Sequence, residues 1–243
     1  MKYLSLFSGI GGFELGIKQA HERLLDNQPK TSKLSAKPNI RGDNGNSLQG
    51  TPTCIGYSEI DKYAIQIYQK HFPEHKNFHD ITKINADTLP DFDLLVGGFP
   101  CQAFSIAGKR RGFDDTRGTL FFEIARILKA KKPRNFVLEN VKGLLSHDGG
   151  RTFATIIATL TKLGYCVEWQ VLNSKNHGVP QNRERVIIVG HLGGIPERKV
   201  FPIGEINGIS IKELTKGASQ GYRVYDPKGI SSTLASQAGG GRS

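Results

Sequence analysis

Cys101 stands in Gly97-Gly98-Phe99-Pro100-Cys101-Gln102, where an apolar β-like run (residues 92–97) empties into a Gly/Pro loop. A thiol there falls at the carboxyl edge of a strand, which is where ligands bind in open α/β sheets. Lys109, Arg110 and Arg111 follow, a cationic setting that favours a thiolate beside a polyanion; a buried structural cysteine is the plainer alternative. A zinc deaminase also carries Pro-Cys, but its Pro-Cys-x-x-Cys needs a second ligand where this chain has Phe104. The next β-like run ends in Glu139-Asn140-Val141, so a carboxylate is delivered to the same edge, for proton transfer, as a helix N-cap or as a plain surface carboxylate. Arg183 and Arg185, in Gln181-Asn182-Arg183-Glu184-Arg185, lie two residues apart leading into a strand and so point the same way. Both can reach one ligand, and a structural salt bridge to Glu184 or another acid is the competing assignment for either.

A second constellation concerns a cofactor. The first β-run empties into Phe7-Ser8-Gly9-Ile10-Gly11-Gly12 and then a helical pattern, the arrangement in which a nucleotide-like ligand approaches backbone amides at a helix N-terminus. Glu59 directly follows the second β-run, placed to accept hydrogen bonds from ribose hydroxyls. The glycine spacing departs from G-x-G-x-x-G, so an adenosine cofactor other than a dinucleotide carries equal weight with a nicotinamide one.

The elements that must position these residues are legible as alternation. Apolar β-like runs at 3–7, 54–57, 92–97, 135–140, 166–172 and 185–190 alternate with segments of helical apolar spacing at 13–25, 63–72, 119–130 and 153–164. This predicts an α/β fold: an open, mostly parallel sheet with helices on both faces. Residues 26–52 are polar and aperiodic, which predicts a surface insertion; beyond residue 195 the alternation stops in Gly-rich, hydrophilic sequence. The expected division is a catalytic and cofactor-binding domain at 1–195 and the beginning of a second region at 196–243. The 33 basic and 22 acidic residues sum to a net charge of +11, which favours a polyanionic partner such as nucleic acid. No run approaches the roughly 18 apolar residues of a membrane span, and the start lacks a signal peptide's apolar core, so a cytoplasmic, membrane-free chain is expected. The three cysteines are too scattered for a metal clip and too few for a disulfide framework.

In this order, Phe7-Ser8-Gly9-Ile10-Gly11-Gly12, Gly98-Phe99-Pro100-Cys101-Gln102, Glu139-Asn140-Val141 and Gln181-Asn182-Arg183-Glu184-Arg185 resemble the cofactor, nucleophile, acid and arginine motifs of DNA cytosine-5 methyltransferases, nearest to the small bacterial restriction-modification enzymes of HhaI-like type. The similarity covers residues 1–25 and 53–192. It implies a Rossmann-like sheet of the S-adenosylmethionine-dependent methyltransferase type. It further implies Cys101 as the nucleophile toward cytosine C6, Glu139 as the acid on the base, and Arg183 and Arg185 as cationic forks on the cytosine carbonyl and the nearby acid or phosphate. For S-adenosylmethionine it implies Phe7 against the adenine, Gly9 and Gly11 under the methionine end, Glu59 on the ribose, Ile60 on the adenine's other face, Asp80 and Ile81 at the ring's polar edge, and Leu120 in the next lining turn. Residues 103–118 match a loop closing behind a flipped base, with Lys109 and Arg110 on phosphates.

Residues 217–241 are similar to the first recognition loop of the family's target domain, with Gln220 matching a residue that fills the gap of the flipped base and Arg223 one that reads a guanine edge. The rest of that domain and the family's final helix have no counterpart here. The expected function is therefore methyl transfer to cytosine C5 in double-stranded DNA, by a truncated chain or one that needs a C-terminal complementing polypeptide. The competing readings are an RNA cytosine-5 methyltransferase, a catalytically silent DNA-binding subunit and, more distantly, a nicotinamide oxidoreductase.

Overall fold

The apolar runs become the six strands of one sheet: β1 (Lys2–Leu6), β2 (Thr53–Ser58), β3 (Leu94–Gly98), β4 (Asn135–Val141), β5 (Tyr165–Asn173) and β7 (Glu184–Leu192). A computed structural model describes residues 1–26, 50–100, 120–193, 199–204 and 231–232; Cys101, Lys109, Arg110, Gln220 and Arg223 lie outside them. Within the described residues the strand order is β2-β1-β3-β4-β7-β5, and β6 (Gln181–Asn182) makes a separate two-stranded parallel pair with β8 (Ser231–Ser232). Strands β1 to β4 are mutually parallel, whereas β7 runs antiparallel to both β4 and β5. The cause is the short link between β5 and β7, which holds no helix long enough to cross the sheet and return parallel.

The helices are α1 (Gly12–Asp26), α2 (Lys62–His71), α3 (Leu120–Lys131) and α4 (Arg151–Lys162). On α3 the buried residues Phe121, Ile124, Ala125, Ile127 and Leu128 recur at three- and four-residue spacing, the apolar stripe of an amphipathic helix. That stripe, with Ile156 and Leu160 of α4, covers Leu4, Leu6, Leu95, Phe136, Leu138, Val186 and Ile188 of the sheet. Side chains alternate across a strand, so Tyr3 and Ser5 face the other way, toward Glu14 of α1 and Tyr68 of α2; Tyr57 stacks on Tyr68 with ring centroids 3.8 Å apart. Helices thus cover both faces, as expected.

This order positions the site. Strand β1 lies between β2 and β3, so successive connections leave it in opposite directions and open a crevice at the carboxyl ends of β1 and β3. The strands pack closely there: a Cβ on Gly97 would lie 3.0 Å from the Leu6 carbonyl oxygen. Among the described residues no helix is long and apolar enough to cross a membrane.

Candidate active site

At the β1 end of the crevice the backbone turns through left-handed conformations at Phe7, Gly9 and Gly11, with φ of 53°, 56° and 96°. Gly11 is required twice over, because a Cβ there would also lie 2.6 Å from the Phe72 ring. The Gly11 N–H donates to the Ser8 carbonyl at 3.0 Å, and the Gly11 carbonyl accepts from Leu15 N–H at 3.1 Å to open α1. Ser8 N–H donates to the Ser58 carbonyl at 3.2 Å, joining the turn to the end of β2.

Glu59 cross-links the same two ends. One carboxylate oxygen accepts from Gly9 N–H at 2.9 Å and the other from Ile60 and Asp61 N–H at 2.8 Å each. A carboxylate offers about four acceptor positions, so Glu59 is fixed in place with capacity left for a ligand hydroxyl. Beside it Ile60 is 74% exposed, a large apolar side chain held in solvent at the mouth of the crevice. Across the crevice Asp80 accepts from Thr82 N–H and Oγ1 at 3.0 and 2.8 Å, bonds that hold its carboxyl below the usual carboxylate range. Ile81 buries its side chain in the core, and its carbonyl accepts from Arg126 Nη2 at 3.1 Å and Ile84 N–H at 3.2 Å; Leu120, the first residue of α3, packs partly buried against that core.

The second group assembles where β3, β4 and β7 meet. Glu139 pairs in register with Gly98 on one side and Ile187 on the other. Arg185 Nε approaches Glu139 Oε1 to 2.6 Å, and Arg183 Nη2 lies 3.9 Å from the same oxygen. The two arginines thus converge on one carboxylate. Of the acids that could pair with them it is Glu139 and not Glu184 that does so: the Glu184 carboxylate goes to Lys142 at 2.8 Å, and only its backbone carbonyl accepts from Arg185. Glu139 is not a helix cap either, since Val141 occupies that position before the short turn Lys142–Leu145 and makes no side-chain cap bond. Gly98 has to be small here, because a Cβ would come within 3.0 Å of Glu139 Oε2.

Three features went unread in the sequence. Buried Asn140 donates from Nδ2 to the Phe99 carbonyl at 2.8 Å and accepts from Val141 N–H at 2.8 Å. With the Phe99 ring packed on Phe121, centroids 5.6 Å apart, both faces of the chain are held two residues before Cys101. Glu14, fully buried in the first turn of α1, accepts from Tyr68 Oη at 2.9 Å; burial pushes its carboxyl above the usual range and, nearby, the Cys54 thiol up to about 11. Cys54 is therefore a poor thiolate. Asn77 bonds the backbone of Glu59. No cluster of His, Cys, Asp and Glu suited to a metal occurs among the described residues.

Comparison with known proteins agrees with this geometry. The family model for C-5 cytosine-specific DNA methylases matches residues 1–216. The chain is 44% identical over 204 residues to the Type II methyltransferase M.NlaIV of Neisseria lactamica, covering 81% of this chain and 43% of that protein. It is 49% identical over 189 residues to M1.ScrFI of Lactococcus lactis subsp. cremoris, covering 78% and 41%. Among solved structures, a DNMT2 mutant of Spodoptera frugiperda superposes with a TM-score of 0.60 at 18% identity, covering 90% of this chain and 61% of that one. A prophage-encoded DNA modification methyltransferase of E. coli superposes at 0.56 and 22% identity, covering 79% and 47%. These structures share the Rossmann-like fold of S-adenosylmethionine-dependent methyltransferases. The chain spans about half the length of the curated relatives it matches. Because the family model matches residues 1–216, well over half of its length, the chain belongs to the C-5 cytosine-specific DNA methylases.

Proposed function

We propose that this chain carries the catalytic and cofactor-binding part, residues 1–195, of an enzyme that methylates C5 of cytosine in double-stranded DNA, and that residues 196–243 begin its target-recognition region. The observation that carries the reading is the convergence of Arg185 and Arg183 on Glu139, beside the strand end that leads through Phe99 and Pro100 into Cys101.

The pocket suits S-adenosylmethionine by the chemistry of its donors. Glu59 presents an anchored carboxylate for the ribose, the left-handed turn at Gly9 and Gly11 brings backbone close without side chains, and Asp80 supplies an acceptor for an exocyclic amine. Space above Gly9 is open: among the described residues, no atom beyond its two chain neighbours lies within 4 Å of where its Cβ would be. Phe7 and Ile60 would flank the adenine, with Ile81 and Leu120 completing the lining. When bound, the cofactor supplies an electrophilic methyl group on a sulfonium.

Cytosine C5 is too poor a nucleophile to take that methyl unaided. Cys101 as thiolate adds to C6, and the electrons that enter the ring make C5 enamine-like. Glu139 holds N3 and the exocyclic amine and supplies the proton that N3 requires as charge builds there. Arg185 fixes the Glu139 carboxylate, while Arg183 is close enough to serve both the carboxylate and the base carbonyl, a task suited to a planar fork. After transfer, loss of the C5 proton to solvent, expulsion of the Cys101 thiolate and return of the N3 proton to Glu139 restore the aromatic ring. The base must leave the duplex to reach Cys101, with Lys109 and Arg110 on phosphates, Gln220 in the vacated position and Arg223 on a guanine edge.

A C-terminal polypeptide supplying the remainder of the relatives' length would complete the DNA cleft, and Ile10 and Leu15, exposed at the start of α1, offer it an apolar contact. The test is covalent trapping on duplex DNA containing 5-fluorocytosine, with and without such a polypeptide, because fluorine cannot leave as the C5 proton does. A wild-type chain that traps with neither arrangement, or a Cys101→Ala variant that still traps, would overturn the assignment.

A further inference from the structure

We propose that Asn77 is a positioning residue for the cofactor pocket, its single carboxamide holding Glu59 in the place from which it meets the ribose. The inference rests on the assignment of Glu59 as ribose acceptor and extends it to a residue in none of the motifs.

Strand β2 is the edge of the sheet. Residues 76–78 lie along it as a short parallel partner: Tyr57 N–H donates to the Lys76 carbonyl at 2.9 Å, and Phe78 N–H to the Tyr57 carbonyl at 2.6 Å. This approach is close because β2 has a glycine there; a Cβ on Gly56 would lie 2.3 Å from the Phe78 ring. The backbone partnership cannot run on to Glu59, since His79 turns away with a left-handed φ of 58°. The Asn77 side chain takes over the role of the missing strand. Its Nδ2 donates to the Glu59 carbonyl at 3.2 Å, and its Oδ1 accepts from Glu59 N–H at 3.4 Å and from His79 N–H at 2.8 Å. Main-chain N–H groups only donate, so these partners fix which end of the amide is oxygen. Ser58 Oγ donates to the His79 carbonyl at 2.5 Å and secures the same corner from the β2 side.

The consequence is a backbone clamp directly behind the Glu59 carboxylate, whose own oxygens hold Gly9, Ile60 and Asp61. Without the clamp, Glu59, the residue just beyond the edge strand, is anchored through its side chain alone. That side chain would then have to choose between bonding its own loop and meeting a ligand.

Asn77→Ala removes all three bonds. Asn77→Asp keeps the acceptor, loses the donor and sets a carboxylate against the Glu59 carbonyl in a nearly isosteric side chain, so it carries the test if the alanine variant folds poorly. The measurement is the Kd of S-adenosylhomocysteine for the full 243-residue chain, read calorimetrically in wild type, both Asn77 variants, Glu59→Ala and the double variants, with melting temperatures alongside. The loss of net hydrogen bonding to Glu59 predicts binding weaker by roughly three- to tenfold in each Asn77 variant, shrinking to less than twofold in the Glu59→Ala background. Unchanged affinity on substitution of Asn77, or an equal loss in both backgrounds, refutes the role of Asn77 while leaving Glu59 as ribose acceptor. Failure of the wild type to bind, or wild-type affinity in Glu59→Ala, instead refutes the assignment on which the inference rests.

Discussion

Replacing Glu139 by Gln separates chemistry from scaffolding. The two side chains are nearly isosteric, so Gln fits against Gly98, where a Cβ would already lie 3.0 Å from Oε2, and it keeps an oxygen to accept from Arg185 Nε, now at 2.6 Å. The charge is lost, and with it part of a charge-assisted bond between side chains that are 23% and 21% exposed. A hydrogen bond to a charged group contributes about 1.5–3 kcal/mol net, and retention of a neutral one brings the expected destabilisation to about 1–2 kcal/mol. Loss of a positioned proton donor lowers turnover by roughly 10²–10⁴-fold, or about 3–5 kcal/mol of barrier. Activity should therefore fall much further than stability. Single-turnover transfer of labelled methyl to duplex DNA gives the first quantity, thermal unfolding the second, and cofactor affinity should change little. Turnover within about threefold of wild type, or a loss no larger than the fraction unfolded explains, would refute the proton-transfer role and leave Glu139 as the anion that orders two arginines.

Other substitutions probe the supports. Asn140→Ala leaves the buried Phe99 carbonyl and the part-buried Val141 N–H without their partner; it should cost about 1–3 kcal/mol in chemical denaturation and slow trapping by 5-fluorocytosine DNA, and undiminished trapping in the folded variant argues against any hold on the chain leading to Cys101. Gly11→Ala should destabilise more than Gly9→Ala, since both add left-handed strain of about 1 kcal/mol but only Gly11 meets a ring, 2.6 Å away; equal melting temperatures would contradict the packing described. Glu14 has a raised carboxyl pKa in the folded chain, so the native state binds the extra proton: its stability contribution is full below the unfolded pKa and is lost as pH rises through the folded one. Glu14→Gln should consequently gain melting temperature relative to wild type as pH increases from acid to neutral, and a difference independent of pH would show that Glu14 does not titrate in that window.

The strands and helices were legible because burial on both faces gives the sheet continuous apolar runs, and the helices a spacing of three and four. The left-handed turn at Gly9 and Gly11 and the carboxylate of Glu59 could be read as a pair, since both follow β-like runs directly. What escaped were residues whose partners are backbone atoms distant in sequence. Asn140 reaches a carbonyl 41 residues away, and Asn77 meets Glu59 18 residues away, through side chains that in a loop or at a strand end carry no periodic signal. Glu14 was hidden for the opposite reason. In the first turn of α1 an acid reads as favourable surface charge at a helix N-terminus, and only the packing of α2 shows that it is buried beneath Tyr68.

The direction of β7 shows how site and fold constrain one another. Glu139 is at the end of its strand, whereas Arg183 and Arg185 stand at the beginning of theirs. In a wholly parallel sheet those ends lie on opposite edges: β7 has nine residues, and at about 3.3 Å per residue the arginines would be displaced by roughly 25 Å from the carboxylate. Reversal of β7 brings its first residues to the carboxyl edge of β3 and β4, with Val141 opposite Arg185 and Glu139 opposite Ile187, and the side-chain length of arginine spans the remaining two-residue offset. The reversal follows from the short link after β5, which the sequence displays as the absence of a helical segment between residues 172 and 185. A missing helix and a pair of arginines at a strand's start thus require the same thing of the fold, and the guanidinium of Arg185 against Glu139 is where the two requirements meet.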